Sequence, residues 1–194
     1  MGAAGGLALY ALLAYTREGL PGDPFNLVVA GDPEALAEAF EAAGWTRAER
    51  MSPRSAGRAF LLKTPYPSAP VSALFWGGRR QDLSFELDLG PGDRARHHVR
   101  LWRVPGPRPD GLAEWVGAAS FDRGVKVDRR TGRLTHRIDQ DVDAEREFVA
   151  RSLRGTGALA GEVLRPGPAR IGRNGGGDPY RTDGAVRVLT LRRV

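Results

Sequence analysis

Three histidines are the residues of this chain best suited to acid–base or metal chemistry, because the sequence contains no cysteine. His97 and His98 are adjacent within RHHVRLWRV, and His136 precedes an acidic segment. Imidazole takes up and releases protons near neutral pH and is the commonest metal ligand. The absence of cysteine excludes disulfides, thiolate metal sites and a cysteine nucleophile. The first candidates for chemistry are therefore the histidines and the carboxylates near them.

The residues around the histidine pair predict a β-strand, in which successive side chains point to opposite faces of a sheet. His97 then shares an apolar face with Leu101. His98 shares the opposite face with Arg100. Both histidines can enter one site only if the strand bulges. We therefore expect His98 to contribute to a site, and His97 to be a hydrogen-bonded residue on the core side.

Two neighbouring segments are predicted strands that bring further polar groups to the face of His98. QDLSFELDL alternates apolar and polar residues, and GAASFD does the same. If both segments pair with the histidine strand, one sheet face collects Asp82, Ser84, Glu86, His98, Arg100, Ser120 and Asp122. Such a set can carry out acid–base chemistry, hold a divalent metal or bind an anion. The ordinary solvent face of an antiparallel sheet would have the same composition.

The segment THRIDQDVDAERE adds a second group of possible ligands. A histidine and carboxylate metal site would use His98, His136, Asp122 and Asp141. The spacing does not match an EF-hand, which requires a central glycine and a distal glutamate. Capping of the following helix explains Asp141 equally well. Both hypotheses for this segment remain open at this point.

Arg146 is expected to need a buried partner. It lies between Val142 and Val149 on the apolar stripe of the helix predicted from Asp141 to Leu153. Arginine is rarely buried unless it is paired. We expect the partner to be a carboxylate from the sheet, such as Asp122, or from the segment ahead of the helix.

The order of predicted elements indicates a single α+β domain. It comprises an apolar helix within residues 1–18, then a domain over residues 19–194 with a strand from Phe25, helices beginning at Pro33 and Ser52, four or five strands, the helix containing Arg146, and one or two final strands. Short turns between consecutive strands indicate antiparallel pairing. We therefore predict a mostly antiparallel sheet with helices packed on one face.

The composition is typical of a globular domain, and the net charge of +6 is spread along the chain. No basic ribbon interleaved with aromatic residues is present, so nucleic-acid binding is not expected.

The apolar start, from Gly2 to Thr16, is shorter than the ~20 residues of a membrane span and lacks the features of a signal peptide. It predicts either an ordinary docking helix or an interfacial helix at a membrane.

Several segments, in the order of the chain, resemble the LssY-like C-terminal domain of bacteria. They are PGDPFNLVVAGD, APVSALFWGGRRQDLSFE, RHHVRLWRV, EWVGAASFDRGV, THRIDQDVDAERE and DPYRTDGAVRVL. The resemblance runs from about Leu20 to the end. Arg137 departs from the family pattern, in which a second histidine often follows the position of His136, and Gln140 stands where proline is common. If that second histidine binds metal in relatives, Arg137 weakens the metal hypothesis.

The resemblance implies a location near a membrane, but it does not imply a particular reaction. Relatives often follow hydrophobic helices or are joined to phosphatidic-acid-phosphatase-like or similar integral-membrane domains. We therefore expect a membrane-proximal domain, with a cytoplasmic location as the alternative. Expected partners are an integral-membrane protein or an anionic small molecule.

Two functions are consistent with the sequence. The leading hypothesis is hydrolysis, assisted by a divalent metal, of a phosphate- or carbohydrate-containing envelope molecule. Its residues are His98 and His136 as acid, base or metal ligand, Asp122 and Asp141 as base or ligand, and Arg100 and Arg146 as anion clamps. The alternative is a non-catalytic binding or accessory module for a membrane protein or an anionic envelope ligand. In that case the polar face would be shallow and open, with the carboxylates paired with arginines and without a pocket.

Overall fold

The structure, a computed structural model, describes residues 13–48, 73–90, 95–106, 108–127 and 134–193. The side chains of residues 125, 127 and 134–136 also lie outside this description. Within it the chain forms three sheets and two helices, and all strand pairs but one are antiparallel. The predicted α+β class with antiparallel sheets is confirmed.

The largest sheet has eight strands. Seven follow the order β11-β14-β3-β9-β8-β7-β4, and β10 pairs with β9 outside that path. Their bounds are β3 Leu27–Ala30, β4 Thr46–Arg47, β7 Leu83–Asp88, β8 Arg96–Arg103, β9 Glu114–Val127, β10 Leu134–Ile138, β11 Leu159–Arg165 and β14 Val186–Leu191. The parallel pair is β14 with β3.

Two smaller sheets complete the strands. One has four strands in the order β2-β1-β5-β6, with bounds β1 Leu13–Tyr15, β2 Pro21–Pro24, β5 Phe75–Trp76 and β6 Arg79–Arg80. The other is a hairpin of β12 Arg170–Arg173 and β13 Pro179–Thr182.

The two helices begin and end where the sequence predicts. Helix α1, Pro33–Ala42, has proline in its first turn and Asp32 at the N-cap position, although the Asp32 side chain makes no capping hydrogen bond. Gly44, with a φ of 85°, follows its end. Helix α2, Val142–Gly155, is capped by Asp141, which accepts a hydrogen bond of 3.2 Å from the backbone nitrogen of Ala144.

The main core contains apolar residues from both helices and from the central strands. Helix α1 contributes Phe40 and helix α2 contributes Val149, and both lie in one cluster with Phe85, Val99 and Leu101. Phe40 and Phe85 stack with ring centroids 4.3 Å apart. The strand side chains in this cluster are those that alternation assigned to the apolar face.

A second core cluster covers the opposite face of the large sheet. It includes Val28, Trp102 and Val116 from the large sheet, with Ala14 from β1 and Phe25 from the link between β2 and β3. The rings of Phe25 and Trp102 lie 5.2 Å apart. The face of His98 is therefore buried here, and the expectation of an ordinary solvent-exposed face is wrong.

Two sequence predictions differ from the structure. The amino-terminal helix does not include Leu13–Tyr15, which form β1 because they pair with β2 and β5. Residues 1–12 and the helix predicted from Ser52 lie outside the described residues. Part of the Gly/Pro-rich segment after α2 forms β11, which pairs along β14. Long-range pairing outweighs weak local strand propensity at both places.

None of the helices in the described residues is long and apolar enough to span a membrane.

Candidate functional site

The pairing of β7, β8 and β9 brings the predicted polar residues together. His98 on β8 lies opposite Glu86 on β7 and Ser120 on β9. Arg96 lies opposite Asp122 by the same register. Because directly opposed residues share a face, these side chains form one cluster. The prediction that three strands contribute to one polar cluster is confirmed.

His98 is at the centre of the cluster. Its Nε2 lies 2.7 Å from Nη1 of Arg100, and its Nδ1 lies 3.4 Å from Oδ2 of Asp122. Because a guanidinium can only donate hydrogen bonds, Nε2 of His98 accepts this one. A neutral His98 then carries its proton on Nδ1, beside Asp122. Protonation of Nε2 would require Arg100 to move away, and the oxygen Oδ2 of Asp23, 4.0 Å distant, is the available acceptor.

Opposing effects act on the protonation of His98. Burial lowers the pKa of His98, and the Arg100 charge acts in the same direction. The carboxylates of Asp122 and Asp23 act against both and raise the pKa above its ordinary value. The carboxylates therefore raise the pKa of His98 on balance, whereas the hydrogen bond from Arg100 is made to the neutral imidazole.

Asp23 connects this cluster to the small sheet. Its Oδ2 accepts a hydrogen bond of 2.8 Å from Nη1 of Arg100. Burial would raise the pKa of Asp23, but His98 and the charge of Arg100 hold it below its ordinary value. Asp23 was not among the predicted site residues, because the glycines and prolines of GLPGDP indicate a turn rather than the strand β2. The residue beside Asp23 that marks this close approach of β2 to β1 is Gly22. A Cβ atom there would lie only 2.9 Å from the backbone oxygen of Ala14.

Arg96 binds the other two carboxylates. Its Nη1 donates to Oε2 of Glu86 at 2.8 Å, and its Nε donates to Oδ2 of Asp122 at 3.3 Å. Burial raises the pKa of Glu86 above its ordinary value in spite of the Arg96 charge. Alternation places Arg96 on the same face as His98, so the sequence could have identified Arg96 as a member of the cluster. It was not predicted because it lies at the very beginning of the strand.

We call the set Asp23, Glu86, Arg96, His98, Arg100 and Asp122 the buried charge network. Except for Glu86, which is partly exposed, no member exposes more than 4% of its surface. Neighbouring Ser120 is fully buried, and its hydroxyl has no hydrogen-bond partner among the residues that the structure describes. Two clefts among the described residues, one lined by Asp141 and Arg181 and the other by Asp32 and Arg103, contain no network residue.

His97 is on the core side, as predicted. Its Nδ1 lies 2.8 Å from Oε2 of Glu145, a buried carboxylate of α2. Its ring stacks on Phe148 at a centroid distance of 3.8 Å. Glu145 was not predicted as a partner of His97, because the helix dipole by itself favours an acidic residue in the first turn of a helix. The two adjacent histidines thus contact different carboxylates on opposite faces of one strand.

Arg146 is buried and paired, as its position requires, but Asp122 is not its partner, and the carboxylate it binds, Asp183, is exposed. Its Nη1 donates to Oδ1 of Asp183 at 2.7 Å and to the backbone oxygen of Ala185 at 2.8 Å. Asp143 and Glu147, both in α2, accept further hydrogen bonds. Burial lowers the pKa of Arg146, whereas these carboxylates raise it above its ordinary value. Asp122 is unsuitable because it lies on the opposite face of the sheet from α2.

Asp141 lies at the cap of α2, away from the hydrogen bonds of the network. Besides capping the helix, it accepts a hydrogen bond of 2.8 Å from Nη2 of Arg181. It lines an open cleft of about 630 Å³ formed with Asp143, Ala169, Arg170, Ile171, Arg181, Thr182 and Asp183. The structure therefore brings His98, Arg100 and Asp122 together, and places Asp141 and Arg146 beside the segment from Arg181 to Ala185.

His136 can be located only by its backbone. It lies in β10 and pairs with Val125 of β9. Its side chain is outside the described residues, so its predicted role beside His98 stays a prediction.

The described side chains do not form the metal site that the sequence predicts. Among them, no group of three or more histidine, aspartate or glutamate side chains is arranged to hold a metal ion. Nε2 of His98 and Oδ2 of Asp122 face the guanidinium groups of Arg100 and Arg96. A metal ion would have to displace these cations. The described donors therefore do not fit a metal, and a set that includes His136 stays a prediction.

Comparison with known proteins identifies one family. The model of the family described as LssY C-terminus matches residues 8–186, which is nearly the whole chain and includes every residue of the network. No curated protein and no solved structure matches the chain.

Proposed function

The chain belongs to the LssY C-terminus family, and from that premise we propose that it is a membrane-proximal, non-catalytic binding or accessory module. Its partner would be a membrane protein or an anionic envelope ligand. Membrane proximity follows the expectation from the family resemblance. The observation that carries the non-catalytic role is that the candidate catalytic groups are buried and paired with one another.

Burial separates these groups from any substrate. A general acid or base must come within hydrogen-bond reach of the substrate proton. His98 and Asp122 each expose 1% of their surface, and two clefts among the described residues are lined by other side chains. A substrate could reach His98 and Asp122 only after the residues that cover them moved apart.

The arginines of the network stabilise the fold by pairing with its buried carboxylates. Arg100 donates to Asp23, and Arg96 donates to Asp122 and Glu86. Such pairs compensate for the desolvation of both charges, and the loss of one partner leaves the other buried without compensation. The network therefore fixes how β2, β7, β8 and β9 pack.

Both helices are proposed to cover the same face of the large sheet. Their shared core cluster supports this arrangement.

The experiment combines a stability and an activity measurement on the same variants. His98→Ala and Asp122→Ala are compared with wild type by urea unfolding, and all three are assayed with phosphate mono- and diesters and glycosides, with and without divalent metals. The proposal predicts destabilisation by about 3 kcal/mol or more, as for a broken buried ion pair. It also predicts no turnover by the wild type. Wild-type turnover that is lost in variants of unchanged stability would establish an enzyme instead.

Hydrolysis is the second candidate, because one feature favours it. Ser120 lies directly opposite His98, which contacts Asp122. A serine, a histidine and an aspartate on one face are the groups used in nucleophilic catalysis. In this candidate His98 and Asp122 act on the substrate with Arg100 as anion clamp, and His136 would add a metal ligand, whereas Asp141 and Arg146 lie beside the segment from Arg181 to Ala185 and take no part. Metal analysis of wild type and of His98→Ala combined with His136→Ala tests it, since metal bound only by the wild type supports it.

A further inference from the structure

The β12–β13 hairpin presents an exposed face of unusual composition. Ile171 pairs directly with Arg181, and Arg173 pairs with Pro179. Because directly opposed residues share a face, these four residues lie on the same side of the hairpin. All four are exposed. We call them the hairpin face.

Ile171 is the most exposed large apolar residue that the structure describes. It exposes 91% of its surface, whereas the next, Val163 and Leu89, expose 50% each. Its partner Arg181 exposes 63% of its side chain. An apolar side chain presented between two arginines combines hydrophobic insertion with attraction to anions.

The hairpin is fixed from its other side, so the exposure of Ile171 does not come from a loose loop. Tyr180 is buried, and a Cβ atom at Gly172 would lie 2.7 Å from its ring. The backbone nitrogen of Arg181 donates to the oxygen of Gln140 at 2.7 Å. Thr182 donates through Oγ1 to Asp143 at 2.6 Å. The core of the domain therefore supports the hairpin while its other face points outward.

We infer that the hairpin face docks on an anionic lipid surface, with Ile171 entering the interface and Arg173 and Arg181 contacting headgroup phosphates. The inference rests on the proposed binding role and names the surface that carries it. A protein partner is less suitable, because a stable protein interface buries about 800 Å² on each side around several apolar or aromatic residues. One isoleucine between arginines instead suits a fluid, negatively charged interface. The net charge of +6 favours the same approach.

The absence of cysteine from the sequence allows a direct test. Ile171→Cys and the control Leu89→Cys are each labelled with a polarity-sensitive fluorophore and mixed with phosphatidylglycerol or phosphatidylcholine vesicles. We expect a blue shift only for the label at position 171, and only with phosphatidylglycerol. Equal responses to both lipids, equal responses of both labels, or no response at position 171 would each overturn the inference.

Co-sedimentation of unlabelled variants provides the second measurement. Ile171→Glu and Arg173→Glu are each expected to lower partitioning onto phosphatidylglycerol vesicles about tenfold, and neither change touches the ion pair of Arg181 with Asp141. The controls Leu89→Glu and Arg151→Glu change exposed residues elsewhere and are expected to stay within twofold of wild type. Losses in the controls that equal those in the hairpin variants would show general charge attraction and overturn the inference.

A soluble polyanion distinguishes the membrane from an acidic protein. If polyglutamate shifts the label at position 171 as strongly as the vesicles do, an acidic protein replaces the lipid surface as the partner. Failure of the vesicle experiments leaves the stability and turnover measurements of the buried charge network unaffected. Failure of the docking surface and failure of the non-catalytic role can therefore be told apart.

Discussion

Asp23 accepts a hydrogen bond of 2.8 Å from Arg100, and this contact joins the small sheet to the large one. Asp23 lies in β2, whereas Arg100 lies in β8, 77 residues later. Both side chains are buried. An ion pair in such a place contributes by holding two elements in register, and its loss leaves a charge without compensation.

A double-mutant cycle on Asp23 and Arg100 is expected to show strong coupling. Asp23→Asn and Arg100→Met should each lower the free energy of unfolding by about 3 kcal/mol, because each leaves one buried charge without its main partner. The double variant should lose less than the sum of the two, with a coupling energy of about 1–3 kcal/mol. Urea unfolding provides the measurement. Additive losses would mean that the two side chains do not depend on each other.

Stability should depend on pH through His98. Its folded pKa is raised above the unfolded value of about 6.5, so its contribution is complete below that pH and is lost as pH rises through the folded pKa. The difference in unfolding free energy between wild type and His98→Gln should therefore be largest near pH 5.5 and become smaller towards pH 9. A difference that stays constant or grows with pH would show that the neutral imidazole, which accepts the hydrogen bond from Arg100, is the form that stabilises the fold.

Arg146 is expected to be important for stability because it is buried on α2 and hydrogen-bonded there. Arg146→Met should cost about 1–3 kcal/mol, because it leaves the buried oxygen of Ala185 without the guanidinium, whereas the exposed Asp183 regains contact with water. Arg151→Met on the same helix is the matched control. Arg151 is exposed, and its replacement should stay within about 0.5 kcal/mol. Chemical denaturation of both variants checks this, and equal stabilities would show that the Asp183 contact contributes nothing.

His97 and Glu145 should behave as a pair within the main core. His97→Phe leaves the buried Glu145 carboxylate without its imidazole and is expected to destabilise the protein by about 2–3 kcal/mol. Glu145→Gln, added to that variant, removes the charge and should restore about half of the loss. Thermal melting measures the effect. A second substitution that lowers the melting temperature further would contradict the pairing.

Alternation alone predicted the central part of the candidate site. Side chains on a strand point to either face with a period of two, so the positions of Phe85, His97, His98 and Ser120 followed from spacing. Turn-separated strands also predicted the pairing of β7 with β8. Local periodicity was sufficient because these strands are adjacent in both sequence and space.

The covering of that site could not be predicted in the same way. Burial of the His98 face depends on β1 and β2, whose residues carry helix-like or turn-like local signals, and strand pairing in three dimensions outweighs those signals. Asp23 was missed for that reason. Asp183, the partner of Arg146, comes from the segment before β14, and only the folded chain brings it beside α2.

Chemical accessibility of the histidines tests the account most directly. The native protein is treated with diethyl pyrocarbonate, and modification at each histidine is followed by mass spectrometry, with His97, whose side chain is 12% exposed, as the internal comparison. The buried charge network predicts that His98 stays unmodified until urea unfolds the protein. Modification of His98 in the native state at the rate of an exposed imidazole, and protection by a phosphate ester, would contradict the account and indicate an accessible active site.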